Sequence, residues 1–97
     1  MYFVYLLKCG SSGKKPLYCG YTKNIKRRLE DHQTGRGGRF TRSRQPVELV
    51  YWEEHSTRKK AIRREREVKK FSRREKLRMI RFFSENQVAS EKEDIEK

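Results

Sequence analysis

A chain of 97 residues with 33% hydrophobic and 40% charged side chains forms one small domain with a thin core, and its five Phe, five Tyr and one Trp argue against a disordered polyelectrolyte. The formal net charge of +13 is uneven: residues 1–83 hold 24 basic against 8 acidic side chains, or +16, whereas residues 84–97 hold five acids and two lysines. Charge of that sign and density points to a nucleic-acid partner, and too few apolar residues remain to give a basic helix a lipid-facing side, which argues against a membrane binder.

The opening run MYFVYLLKC lacks a basic n-region and a small-residue cleavage site and is too short to span a bilayer, so it predicts a first strand in a cytoplasmic protein. MYFVYLLK and PLYCGYT, separated by the turn-rich CGSSGKK, predict a β-hairpin. NIKRRLEDHQ predicts a short helix, with Asn24 as its N-cap and Ile25 and Leu29 four residues apart. TGRGGRFTRSRQP reads as a loop, and VELVYWEE as a third strand. TRKKAIRREREVKK predicts a helix capped by Thr57 or Ser56. SRREKLRMIRFF predicts a separate last helix, because Ser72 and Glu75 have capping-box spacing. The acidic residues 84–97 predict a frayed or disordered tail, leaving residues 1–83 as the domain. Cys9 and Cys19 form neither a disulfide framework nor a zinc spacing, and read as ordinary thiols. The expected class is α+β, in the order ββαβαα.

Hairpin pairing of Cys9 with Pro16 sets Tyr5 opposite Gly20 and Leu7 opposite Tyr18, all on one face. The two phenols then become diagonal neighbours, and Gly20 leaves room for something to approach. The alternative is a pair of structural aromatics. On the first helix Arg28 and His32 are four residues apart and share a face. Arg suits bidentate phosphate contact, and His donates to or accepts from a phosphoryl oxygen. Lys23, Lys26 and Arg27 read as the surrounding positive field. In the helix after Thr57, Ala61, Ile62 and Val68 form an apolar stripe that includes Glu65 and leaves Glu67 outside. A carboxylate in such a stripe requires a partner, which is either a salt bridge to Arg28 or a neighbour, or a metal ion.

FVYLL, LYCGYT, NIKRRLEDH and AIRREREVKK, in that order, together resemble the GIY-YIG nuclease domain, above all its small stand-alone members. RFTRSRQPVELVYWEE is similar to the loop and third strand of those proteins. The resemblance covers about residues 1–83 and implies a three-stranded antiparallel sheet flanked by helices, with an active site on one sheet face. It implies that Tyr5 and Tyr18 are the two signature tyrosines, Gly20 the second signature's glycine, Arg28 the helix arginine and His32 the tyrosine-or-histidine position one turn on. Glu65 takes the place of the carboxylate that holds one divalent metal ion, Mg²⁺ or another, and no small-molecule cofactor is implied. Such enzymes hydrolyse phosphodiesters with water, with a tyrosine as base or positioning group. Mg²⁺ bound through one carboxylate keeps part of its hydration shell.

The sequence also departs from the family pattern. The first signature reads FVY without its glycine, the spacer before YCG is long, and RMIRFF holds no asparagine. Two readings follow: a metal-dependent nuclease acting on DNA first or on other structured nucleic acid, and a non-catalytic nucleic-acid-binding module on the same scaffold. With no second domain, binding falls mostly on the phosphate backbone. Arg36, Arg39, Thr41, Arg42 and Arg44 of the loop are offered for it, with Phe40 either stacking on an unpaired base or packing locally.

Overall fold

The computed structural model describes the backbone of residues 1–11 and 13–96, and side chains as far as residue 86. Strands β1 (Tyr2–Cys9), β2 (Leu17–Thr22) and β3 (Val47–His55) form one antiparallel sheet in the order β2-β1-β3. Helix α1 (Ile25–Gln33) follows the hairpin, and α3 (Arg58–Lys69) and α4 (Arg73–Glu96) follow β3. This is the expected ββαβαα order with one addition: Arg39–Arg42, expected as loop, form a single helical turn, α2. Gly38, at φ +119, supplies the left-handed backbone that starts this turn. Phe40 and Thr41 then pack inward and hold the turn closed.

The hairpin register is the expected one: Tyr5 pairs with Gly20 and Leu7 with Tyr18. Central β1 is covered on both faces, which is why its sequence runs apolar rather than alternating. On one face Val4 and Leu6 pack with Cys19 of β2 and with Ala61 and Val68 of α3. On the other, Tyr5, Leu7 and Cys9 pack with Val47, Tyr18 and the α1 anchors Ile25 and Leu29. Leu6 and Leu7 are fully buried on opposite faces, and each contributes about 2 kcal/mol of burial free energy.

Side chains cap the helices as expected. Asn24 Oδ1 accepts from Arg27 N at 3.1 Å, and Thr57 Oγ1 from Lys60 N at 3.2 Å. Ser72 Oγ accepts from Glu75 N at 3.1 Å while Glu75 Oε1 accepts from Ser72 N at 3.3 Å, closing the capping box that starts α4. Helix α4 extends through the acidic stretch from Ser84, whose side chains beyond residue 86 lie outside the described ones. Glu53 of β3 accepts from Tyr51, from His55 Nε2 at 2.5 Å and from Arg64 Nε at 3.1 Å, tying the third strand to α3. Cys9 and Cys19 are free and buried. Among the described residues no helix is long and apolar enough to cross a membrane.

Candidate active site

Four of the expected site residues converge where α1 crosses the hairpin. Ile25 and Leu29 press α1 onto the sheet, and this turns Arg28 and His32 toward Tyr5 and Tyr18. The Tyr5 hydroxyl lies 3.0 Å from His32 Nε2, and the two phenol rings lie 6.3 Å apart between centroids. The His32 ring sits 5.0 Å from that of Tyr18. Arg28 donates from Nη2 to the Gly37 carbonyl at 3.3 Å, and its charge acts on both tyrosine hydroxyls.

The electrostatics follow from burial. Tyr5 and His32 are buried, Tyr18 and Arg28 only partly so. Burial pushes the Tyr5 hydroxyl up to about 12 against the opposing pull of Arg28, so the phenol keeps its proton. Burial, reinforced by the Arg28 charge, holds His32 below its ordinary pKa and keeps the imidazole neutral. Arg28 can only donate, so the Tyr5 proton points to His32 Nε2. Nδ1 then carries the ring proton and donates to Thr41 Oγ1 at 2.8 Å. Hydrogen-bonding logic thus assigns the tautomer.

Two residues expected to face an approaching ligand lie inside the site. Gly20 was to leave room for a ligand, but the Tyr5 phenol fills that room. A Cβ on Gly20 would meet Tyr5 Oη at 2.5 Å and Tyr18 Cε1 at 3.2 Å. Thr41, also offered for backbone contact, is 1% exposed and holds His32 instead. Phe40 packs locally, with its ring 5.6 Å from that of Tyr18 and Arg44 stacked over it at 4.1 Å. Lys23, Lys26, Arg27, Arg39 and Arg42 are exposed, and Arg36 faces Asp31 at 3.7 Å.

Sequence reasoning missed Gly37 and Gln45 as parts of this site, and gave Thr41 a surface role in place of the buried one it has. A Cβ on Gly37 would overlap the His32 ring, so only glycine lets α2 close over it. Gln45 Nε2 donates to the carbonyls of His32 and Thr41, each at 2.7 Å, and locks α1 to α2. No periodicity marks these positions, because they meet only in three dimensions.

Glu65 stands apart. Its side chain is 14% exposed within the α3 stripe and pairs with Lys69 Nζ at 3.2 Å, while Glu67 is 54% exposed and pairs with Arg64. The stripe assignment is therefore correct, and the salt-bridge partner is a neighbour, not Arg28. Helix α3 covers the sheet face opposite Tyr5. Glu65 acts there on Cys19, whose thiol burial, with help from Glu65, pushes up to about 11. Cys19 follows Tyr18 directly on β2, an edge strand, and the two side chains pack on opposite faces of it, Cys19 on the α3 side and Tyr18 on the α1 side. Among the described residues no hydrogen bond or ion pair joins Glu65 to Tyr5, Tyr18, Arg28 or His32, and no three His, Cys, Asp or Glu side chains cluster to hold a metal.

Residues 1–79 match the model of the GIY-YIG catalytic domain. A UPF0213 protein of Staphylococcus haemolyticus is 46% identical over 79 residues, covering 81% of this chain and 93% of its own length. A UPF0213 protein of Staphylococcus aureus is 42% identical over 80 residues, covering 82% and 94%. The solution NMR structure of a UPF0213 protein from Bacillus halodurans superimposes with a TM-score of 0.52 at 36% identity, covering 84% of this chain and 83% of that one. With the paired tyrosines, the helix arginine and histidine and the ββαβαα sheet all in place, the chain belongs to the GIY-YIG family.

Proposed function

We propose that this protein is a divalent-metal-dependent nuclease that hydrolyses phosphodiester bonds, with DNA as its first substrate. The observation that carries this reading is the buried Tyr5–His32 pair behind the partly exposed Arg28 and Tyr18. A mere nucleic-acid-binding surface has no need of a phenol hydrogen-bonded to a neutral imidazole and sealed from solvent beside one guanidinium.

Exposure divides the roles. Tyr18 and Arg28 are the groups a substrate can reach. Arg28 stabilises charge on the phosphoryl oxygens, and Tyr18 orients the attacking water or a phosphoryl oxygen. Tyr5, too acidic-resistant at about 12 to give up its proton readily, is a positioning residue that holds Arg28 through its hydroxyl. In the reaction the water oxygen bonds to phosphorus and gives up a proton to solvent, while one ester P–O bond breaks and its leaving oxygen takes up a proton from solvent.

The donor set fits a hard cation in one respect: a single half-buried carboxylate is what a hydrated Mg²⁺ takes when substrate phosphate supplies further oxygens. Glu65 would hold that ion once exposed Lys69 swings aside. The ion would supply charge stabilisation at the leaving oxygen. A phosphate crossing the β2 edge would then meet Tyr18 and Arg28 on one side and Glu65 on the other.

Supercoiled plasmid, incubated with Mg²⁺ or Mn²⁺ and separately with chelator, tests the reading. Nicking is expected with metal only, and not with Glu65→Ala. Equal nicking by both proteins would overturn the assignment. Salt-sensitive binding that Glu65→Ala leaves intact, with no cleavage by either protein, would establish the non-catalytic alternative, which the signature departures FVY and RMIRFF favour.

A further inference from the structure

An open groove of about 700 Å³ lies between the β1–β2 turn and the first turns of α4, lined by Lys14, Arg73, Arg74, Leu77, Arg78 and Arg81. Five of its six lining residues are cations, and among the described residues no carboxylate lines it. Glu75, the acid nearest in sequence, is committed to the capping box at the start of α4. Arg81 has a partner, Glu85 at 3.4 Å, so the strongest positive field falls on Lys14, Arg73, Arg74 and Arg78.

The groove is fixed relative to the candidate site. Arg73 Nη1 donates to the Lys15 carbonyl at 2.7 Å, which clamps the turn to α4 just before β2 begins at Leu17. Tyr18 stands on that strand. Arg74 and Arg78 are one turn apart on one face of the helix, about 6 Å along its axis. That spacing lets them take separate phosphates of a strand whose charges recur about every 3.4 Å along the duplex axis.

We propose that this groove is a phosphate-backbone clamp that holds nucleic acid beside the β2 edge. It rests on the reading that the substrate is nucleic acid, but not on catalysis. The basic surface of α3 is the weaker candidate: Lys59, Arg63, Arg66 and Lys70 share it with Glu67 and with apolar Ile62 and Phe71. The clamp reads no bases, so it contributes affinity independent of sequence.

The test is fluorescence anisotropy in chelator with labelled duplex and single-stranded DNA of one sequence, between about 50 and 200 mM salt. The triple variant Lys14→Gln, Arg74→Gln, Arg78→Gln leaves Arg73 to hold the turn. The control is Lys59→Gln, Arg63→Gln, Arg66→Gln, which removes the same charge from α3. The clamp variant is expected to bind duplex on the order of tenfold more weakly, with a salt slope smaller by about 2 to 3. The control is expected to keep the wild-type slope. Unchanged binding by the clamp variant, or equal weakening by the control, would overturn the clamp. Weakening confined to the clamp variant, with no nicking by wild-type protein in the metal-containing plasmid assay, would support the clamp while removing the proposed catalysis. No binding by wild-type protein would remove both.

Discussion

The hydroxyl of Tyr5, on the central strand, lies 3.0 Å from Nε2 of His32, twenty-seven residues further along the chain, and both side chains are buried. That contact converts a tyrosine at a strand centre and a histidine near a helix end into one unit. Its outer face is Arg28, and behind it stands Thr41. The arrangement specifies a direction for each proton, and its consequences can be measured one residue at a time.

Acid should disable the site before it unfolds the protein broadly. Burial and Arg28 hold the folded His32 pKa below the ordinary imidazole value of 6.5, which the unfolded chain retains. The unfolded state therefore takes up this proton first as pH falls. Stability is full above about 6.5 and is lost as pH drops from there through the lowered folded value. Protonation also removes the acceptor for Tyr5 and sets a cation beside Arg28. Nicking at saturating DNA is expected to be flat from neutral pH upward and to fall on the acid side, with its midpoint below 6.5. A midpoint above that value would contradict a neutral buried imidazole.

Thr41 should act through His32. Thr41→Val keeps the shape and removes the oxygen that accepts from Nδ1, leaving a buried donor unpaired at a cost of about 1–3 kcal/mol. The nicking rate should fall, and the imidazole nitrogen chemical shifts should show the tautomer redistributed. Thr41→Ser should restore both, because it returns the hydroxyl. A Thr41→Val protein with wild-type rate and unchanged imidazole shifts would reduce Thr41 to packing.

Gly20→Ala should damage the site more than the sheet. The added methyl would sit 2.5 Å from Tyr5 Oη, and overpacking of this kind costs about 1–3 kcal/mol. The displaced phenol would lose His32 and Arg28 together. Thermal unfolding is expected to shift down by several degrees, as about 1 kcal/mol lowers Tm by roughly 4–8 °C in a domain this size. Nicking is expected to disappear at temperatures where the variant remains folded. Retained activity would mean that the Tyr5 position is not needed.

Local chemistry made much of this molecule legible in its sequence. Asn24, Thr57, Ser72 and Glu75 announce helix starts because capping acts over three residues. The hairpin register could be read because a one-residue slip would have put Tyr5 and Tyr18 on opposite faces. Glu65 could be placed in the α3 stripe by helical periodicity alone. What the sequence withheld depends on which face each helix covers. The spacing of Glu65 says that it points at the sheet, but not that α3 lies on the side away from Tyr5. Likewise α2 is four residues long, too short for a period, and Gly20 and Gly37 show their purpose only once Tyr5 and His32 are packed against them.

The central claim is that Tyr18, with Arg28 beside it, meets the scissile phosphate at the β2 edge while Tyr5 stays behind. The most direct test is single-turnover nicking at saturating protein with metal present, comparing wild type with Tyr18→Phe and monitoring binding in parallel. The predicted result is a fall of about 10²- to 10⁴-fold in the nicking rate constant, with DNA affinity within a factor of about two of wild type. A Tyr18→Phe protein that nicks at the wild-type rate would contradict the account.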